Sequence, residues 1–250
     1  LGDLAKPATY ADAAAAADGA IHAAFEYSTR GPDTDATALE ALLRSGTRQR
    51  FVIYTSGVWV LGNQHSPADE SAALSPAPLV NWRPAHEERV LNAASSGLRT
   101  AVIRPGIVYG GSRGLVSDLF KNAANGLVRI IGTGDNRWPL VYDRDLGELY
   151  LRVASNPDAS GVFHANDEGD ERVNDLVTAI VEHMTVPPGV RRVPFQEARQ
   201  KMGPLADALV LDQVVRSPRA RALGWHPSLH SVSGNVARLL EEWRRGKDAA

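Results

Sequence analysis

The sequence contains no cysteine, which excludes disulfide bridges and thiolate chemistry and fits a cytosolic protein. It also lacks any apolar run of about eighteen residues, so no membrane-spanning helix is predicted, and its start lacks the pattern of a secretory signal. The sequence has no large excess of charge of either sign. It contains 27 Lys and Arg and 29 Asp and Glu, for a formal net charge of -2. Neither nucleic acid nor a membrane surface is therefore expected as a partner.

The composition that remains is that of an ordinary globular protein. Hydrophobic residues make up 44% and charged residues 22% of the 250 positions. That length is enough for one α/β domain with a lobe attached, and no repeat or linker interrupts it.

The most informative stretch is 51–62, which reads Phe-Val-Ile-Tyr-Thr-Ser-Gly-Val-Trp-Val-Leu-Gly. A short, β-rich apolar run that ends abruptly in small polar residues predicts a buried parallel strand. The carboxyl end of such a strand opens onto a ligand crevice, so the functional site is expected at Thr55 and Ser56.

Alternating strand and helix patterns indicate a doubly wound parallel sheet. Parallel strands are predicted near 19–24, 51–56, 100–104 and 162–165. Helices are predicted over 11–17, 35–45 and 83–94, and Asp145 is expected to cap a helix over 146–154. Arg83 and Glu87 are four residues apart, which allows them to pair on one helix face.

The most specific motif is Arg-Pro-Gly-Ile-Val-Tyr-Gly at 104–110. With segments 51–62, 132–146 and 223–227, it resembles the NAD-dependent epimerase/dehydratase family, the extended short-chain dehydrogenases/reductases. The resemblance spans essentially the whole chain. It implies a single Rossmann-like NAD(P)-binding domain over 1–250, with a small carboxyl-terminal substrate lobe built mainly from 110–140 and 167–230.

The resemblance implies NAD or NADP as cofactor. It assigns cofactor contacts to Asp3, Leu4, Ala23, Ala24, Thr55, Ser56, His86, Pro105, Gly106, Ile107 and Val108. The family's glycine-rich phosphate turn is expected before residue 1, which would leave the strand at 19–24 with an unpaired edge. We therefore expect an upstream segment or a second copy of the chain, as in a homodimer, to cover that edge.

The family's reactive residues are changed at the matching positions. Aligned on Gly62, its catalytic Ser or Thr falls on Gly57, its Tyr on Trp82 and its Lys on His86. An indole has only an N–H donor and cannot relay a proton. Asp35 also replaces a family Asn, and an ionised Asp accepts hydrogen bonds but donates none.

Tyr109, His86 and Ser56 remain as candidate catalytic residues, with Tyr142 a further candidate acid. The resemblance implies substrate contacts at Trp82, Tyr109, Arg137 and Tyr142. For Arg137 two roles stay open, because its planar guanidinium suits either an anionic substrate or a surface ion pair. No metal site is predicted.

Two functions stay open. The first is an NAD(P)-dependent oxidoreductase or isomerase that acts on a small molecule, with a sugar nucleotide as one candidate. The second is a non-catalytic NAD(P)-binding sensor or interaction protein that kept the fold and lost the chemistry, as the triple substitution suggests. The resemblance in fold does not decide between them.

Overall fold

A computed structural model describes residues 2–44 and 51–248. Its strands are β1 (Gly19–His22), β2 (Phe51–Thr55), β3 (Gln64–Ala68), β4 (Arg99–Pro105), β5 (Ile107–Tyr109), β6 (Leu127–Ile131), β7 (Arg137–Trp138), β8 (Leu140–Tyr142), β9 (Gly161–Ala165), β10 (Glu171–Arg172), β11 (Gly189–Val193) and β12 (Gln213–Val215). Its helices are α1 (Ala11–Ala16), α2 (Gly31–Leu43), α3 (Arg83–Asn92), α4 (Leu115–Ala124), α5 (Asp143–Ser155), α6 (Val173–Glu182), α7 (Phe195–Met202), α8 (Leu205–Leu209), α9 (Pro218–Ala222) and α10 (Val236–Asp248).

The chain packs as two compact units. Unit 1 comprises Leu1–Gly57, Asn81–Arg104 and Tyr150–Phe163, and unit 2 comprises Val58–Val80, Pro105–Leu149 and His164–Ala250. The expectation of a single domain with a substrate lobe stays a prediction.

The main sheet has the strand order β1-β2-β4-β9, and the pairs β1/β2 and β2/β4 are parallel. This confirms the predicted α/β class with a parallel central sheet. Each strand lies within two residues of its predicted bounds, because apolar β-rich runs bounded by small residues mark strands reliably. β1 is an edge strand of the described sheet. The expectation that an upstream segment or a second copy of the chain covers this edge remains a prediction.

Helices α2 and α3 pack on this sheet through one apolar cluster. Its members are Leu39, Leu43, Tyr54, Val90, Leu91, Val102 and Val162. The helical spacing of the leucines in α2 and the alternation in β2 therefore point to the same buried face.

The starts of two helices differ from the prediction. Helix α2 begins at Gly31 rather than Asp35, because Pro32 is tolerated in a first helical turn. Helix α5 begins at Asp143, so Asp145 is not its cap. The Asp145 carboxylate instead accepts hydrogen bonds from Ser228 and Leu229. The predicted end of α2 at Ser45 lies outside the described residues.

Unit 2 is built from two-stranded pairings around a large apolar core. The pairs β5/β8 and β6/β11 are parallel, and the core draws on β5, β6, β8, α4, α6 and α10. Within residues 2–44 and 51–248, no helix combines the length and apolarity needed to cross a membrane.

Candidate functional site

The carboxyl end of β2 carries two hydroxyl side chains. The Ser56 N–H donates to the Ile103 carbonyl at 2.8 Å, which ties the residue to β4. The Ser56 hydroxyl is buried, and its Oγ has no hydrogen-bond partner in the part of the chain that the structure describes. The Thr55 Oγ1 lies 2.5 Å from the Tyr150 hydroxyl. Because buried hydroxyls are normally satisfied, the Ser56 Oγ is one of the described atoms that retain hydrogen-bonding capacity for a ligand.

Asp35 is the centre of a buried hydrogen-bond network in unit 1. Its Oδ1 lies 2.9 Å from His22 Nε2, and its Oδ2 lies 2.7 Å from His86 Nδ1. The Tyr54 hydroxyl donates to the same Oδ2 at 2.9 Å. The carboxylate therefore joins β1, β2, α2 and α3 at one point.

This carboxyl group is ionised at neutral pH. Burial favours the neutral form, but hydrogen bonds from His22, His86 and Tyr54 favour the charged form and hold the pKa of Asp35 well below its ordinary value. The sequence identified Asp35 only as a substitution. Its partners are far apart along the chain, so no local pattern identified them.

Arg83 lies beside this network. Its Nη1 donates to the Tyr54 hydroxyl at 3.1 Å and to the Thr55 carbonyl at 2.9 Å. The expected pairing of Arg83 with Glu87 is wrong, because Glu87 binds Arg104 instead. The guanidinium thus places a permanent positive charge at the carboxyl end of β2.

An aromatic cluster surrounds Trp82, the residue predicted to match the family's Tyr. The Phe25 ring stacks on the Trp82 indole with centroids 5.4 Å apart, and the His86 ring meets that indole at 4.8 Å in an edge-on arrangement. The Arg83 guanidinium carbon lies 4.4 Å from the indole centroid. This packing fixes the orientation of the His86 ring.

The other cofactor candidates of unit 1 follow β1 or lie near the chain start. Ala23 and Ala24 are small and exposed, as a backbone lying against a ligand requires. The Asp3 carboxylate accepts from the Ala5 N–H at 3.0 Å and pairs with Lys6 at 3.2 Å. Leu4 is partly buried beside it.

The Pro105–Val108 candidates lie in unit 2, where internal contacts hold the backbone. The Gly106 N–H donates to Ala165 at 2.9 Å, and the Ile107 N–H donates to Pro139 at 2.7 Å. A Cβ added at Gly106 would lie 2.5 Å from the Pro139 carbonyl oxygen. Close approach of two backbone segments therefore explains the glycine of this motif.

The two tyrosines of unit 2 are buried and already bonded. The Tyr109 hydroxyl donates to Asp167 at 3.1 Å, and the Tyr142 hydroxyl donates to Glu242 at 2.8 Å. Burial and these carboxylates raise the pKa of both phenols. Arg137 forms a bidentate pair with Asp212 at 2.8 and 2.7 Å, so the structure shows the ion-pair role.

Unit 2 also contains a cavity of about 490 Å³ that the sequence did not suggest. Its wall includes Lys121, Asn122, Arg129, Trp138, Arg191 and Lys201. Arg191 and Lys201 share Glu197. Lys121 and Arg129 have no ion-pair partner among the described residues. The two cations come from α4 and β6, so only the folded chain places them on one wall.

Comparison with known proteins decides the family. A model of the NAD dependent epimerase/dehydratase family matches residues 6–166. The chain belongs to this family. The resemblance seen in the sequence is thereby confirmed, whereas the changes expected at Gly57, Trp82 and His86 remain predictions.

Relatives of this epimerase/dehydratase family member come from distant organisms. An uncharacterized protein of Schizosaccharomyces pombe is 28% identical over 247 residues, which cover 95% of this chain and 82% of the relative. An Escherichia coli O157:H7 enzyme, N-acetyl-alpha-D-glucosaminyl-diphospho-ditrans,octacis-undecaprenol 4-epimerase, is 27% identical over 174 residues. Those residues cover 67% of this chain and 50% of that enzyme.

Solved structures support the fold. The UDP-glucose 4-epimerase of Thermus thermophilus, solved with NAD, has a TM-score of 0.80 at 17% identity. The match covers 97% of this chain and 83% of that one. At such low identity the similarity shows a shared Rossmann-type fold. The reaction must be inferred from the residues of the site.

Proposed function

We propose that the chain is an NAD(P)-dependent oxidoreductase or isomerase of the epimerase/dehydratase type that acts in the cytosol on a small phosphate-bearing substrate, such as a sugar nucleotide. The buried Ser56 hydroxyl carries this proposal. It follows a parallel strand at the end where α/β sheets bind ligands, and it lacks a protein partner among the described residues.

The residues of unit 1 fit NAD or NADP. Ala23 and Ala24 leave exposed room after β1, and Ser56 offers a hydroxyl after β2. The dinucleotide, when bound, would exchange a hydride with the substrate carbon. Ser56 would hydrogen-bond the substrate oxygen, and Arg83 would supply the fixed positive charge that the family's Lys supplies.

The cavity of unit 2 suits an anionic ligand. Lys121 and Arg129 would contact phosphate oxygens, and the apolar wall that includes Trp138 would contact an aromatic base. Sugar nucleotides combine both groups. The relatives support a diphosphate-bearing sugar, since the Escherichia coli relative is named an N-acetyl-alpha-D-glucosaminyl-diphospho-ditrans,octacis-undecaprenol 4-epimerase and the Thermus enzyme a UDP-glucose 4-epimerase.

One observation favours the non-catalytic alternative. Trp82 stands where the family has its Tyr, and the phenols of Tyr109 and Tyr142 are buried and bonded. No exposed phenol therefore takes over that role among these candidates. A sensor that binds NAD(P) without turnover would tolerate this loss.

Calorimetric titration of the full-length protein with NAD and NADP tests the proposal, together with turnover of UDP-glucose followed by chromatographic analysis of the products. We expect binding, and about fivefold weaker binding in His86→Ala, since one hydrogen bond contributes roughly 1 kcal/mol. Equal affinities in both proteins would remove His86 from the cofactor site. Binding without turnover of any nucleotide sugar would favour the sensor, and absence of binding would refute both functions.

A further inference from the structure

We propose that Asp35 is the positioning residue that fixes His86 in the tautomer with its proton on Nδ1, which makes Nε2 of this part-buried ring a proton acceptor in unit 1. The reaction that this nitrogen would serve rests on the proposed function. The tautomer itself depends only on the contacts of the Asp35 network, which comprises Asp35, His22, Tyr54 and His86.

The donors around Asp35 determine where the protons lie. An ionised carboxylate accepts hydrogen bonds and donates none. The pKa of Asp35 is lowered, and all three neighbours lie within 2.9 Å of its oxygens. Each neighbour must therefore present a proton to the carboxylate, which places one proton on Nδ1 of His86.

The two histidines consequently adopt opposite tautomers. His22 faces Asp35 with Nε2, whereas His86 faces it with Nδ1. In the neutral rings, the free lone pair lies on Nδ1 of His22 and on Nε2 of His86.

The two imidazole rings differ in how accessible they are to a reactant. The His22 side chain is 3% exposed and the Asp35 side chain 2%, whereas the His86 side chain is 14% exposed. Of the two lone pairs, the one on His86 Nε2 is thus the more accessible to a ligand. Its ring is also held by the edge-on contact with Trp82.

The charged and titratable groups around His86 come from four elements. Asp35 belongs to α2, His22 to β1 and Tyr54 to β2, while Arg83 and Glu87 share α3 with His86. Glu87 is bound to Arg104 of β4. Asp35 is therefore the carboxylate that contacts the imidazole directly.

In the oxidation direction, His86 Nε2 would take the proton of the substrate hydroxyl. The O–H and C–H bonds of the substrate would break as the carbonyl double bond forms, and a bound oxidised dinucleotide would supply the hydride acceptor. The imidazolium would carry both ring protons, and Asp35 would stabilise its charge. The proton acceptor would then be a histidine on α3 rather than a tyrosine at position 82.

Nitrogen NMR of the full-length protein labelled at histidine tests the tautomers, with the His86→Asn spectrum as the assignment control. At a pH where both rings are neutral, we expect Nδ1–H for His86 and Nε2–H for His22. In Asp35→Ala, His86 should become a mixture of both tautomers. A neutral wild-type His86 with its proton on Nε2, or with a mixture of both tautomers, would overturn the proposal.

Carbethoxylation by diethyl pyrocarbonate, mapped by mass spectrometry, gives a second readout that does not require a known substrate. We expect His86 to react, and His22 to be unreactive. NAD at ten times its Kd should slow modification of His86 about tenfold, and leave the exposed His65 unaffected. An unreactive His86 would overturn the proposal, whereas a reactive but unprotected His86 would contradict the cofactor site and leave the tautomer intact.

Discussion

The Nε atom of Arg104 lies 3.0 Å from Oε1 of Glu87, and both side chains are buried in unit 1. Arg104 is in β4 and Glu87 is on α3, directly after His86. The pair therefore fixes the helix that carries His86 and Arg83 against the sheet. It also explains why Glu87 does not pair with Arg83.

Glu87→Ala should lower the free energy of unfolding by about 3–5 kcal/mol, because it leaves the Arg104 guanidinium buried without its carboxylate. Urea denaturation measures this change. The matched control is Glu241→Ala, which removes an exposed partner of Arg245 and should cost less than about 1 kcal/mol. Equal losses in the two variants would argue against a structural role for the buried pair.

Asp35→Ala should lower the free energy of unfolding by about 3 kcal/mol, since the buried His22 and Tyr54 and the part-buried His86 lose their acceptor. Asp33→Ala is the control, because Asp33 lies on the same helix but is exposed. The lowered pKa of Asp35 means that its stabilisation is present above its unfolded pKa and is lost as the pH falls below it. If both variants kept wild-type stability, the network would not contribute to folding.

Asp167 should make the protein less stable as the pH rises from about 4 to 7. Burial raises the pKa of Asp167 to about 7, although bonds from Gly169 and Tyr109 favour its ionised form. Folding then favours the protonated acid, so its stabilisation is complete below the unfolded pKa and is lost through pH 7. The loss is on the order of 4 kcal/mol at most.

Denaturation of Asp167→Asn across this pH range checks that expectation. The amide stays neutral, so the slope due to Asp167 should disappear. Asp12→Asn, at an exposed position of α1, serves as control and should keep the wild-type slope. An unchanged slope in Asp167→Asn would assign the pH dependence to other groups.

Lys121→Ala and Arg129→Ala should each weaken UDP binding about tenfold, because each removes one charge-assisted contact of roughly 1.5 kcal/mol. Calorimetric titration at two salt concentrations measures the effect, which should shrink as salt increases. Arg30→Ala, which removes an exposed cation of unit 1, should leave UDP affinity unchanged. Wild-type affinity in both cavity variants would exclude these cations from a UDP site.

Most of the sheet was predictable from the sequence. Strands β1, β2, β4 and β9 each lie within two residues of the prediction, since apolar β-rich runs that end in small residues are local signals. Helix starts were less predictable. An Asp is a good cap, yet Asp35 and Asp145 both lie inside helices, where distant partners use their carboxylates.

The sequence alone indicated the family and the parallel sheet, because the motifs and apolar runs that indicate them are contiguous. Only the tertiary structure showed which side chains contact the Asp35 carboxylate. His22, Tyr54 and His86 lie 13, 19 and 51 positions from Asp35, yet all three contact one carboxylate. Long-range packing brings such donors together, and neither spacing nor periodicity along the chain encodes that contact.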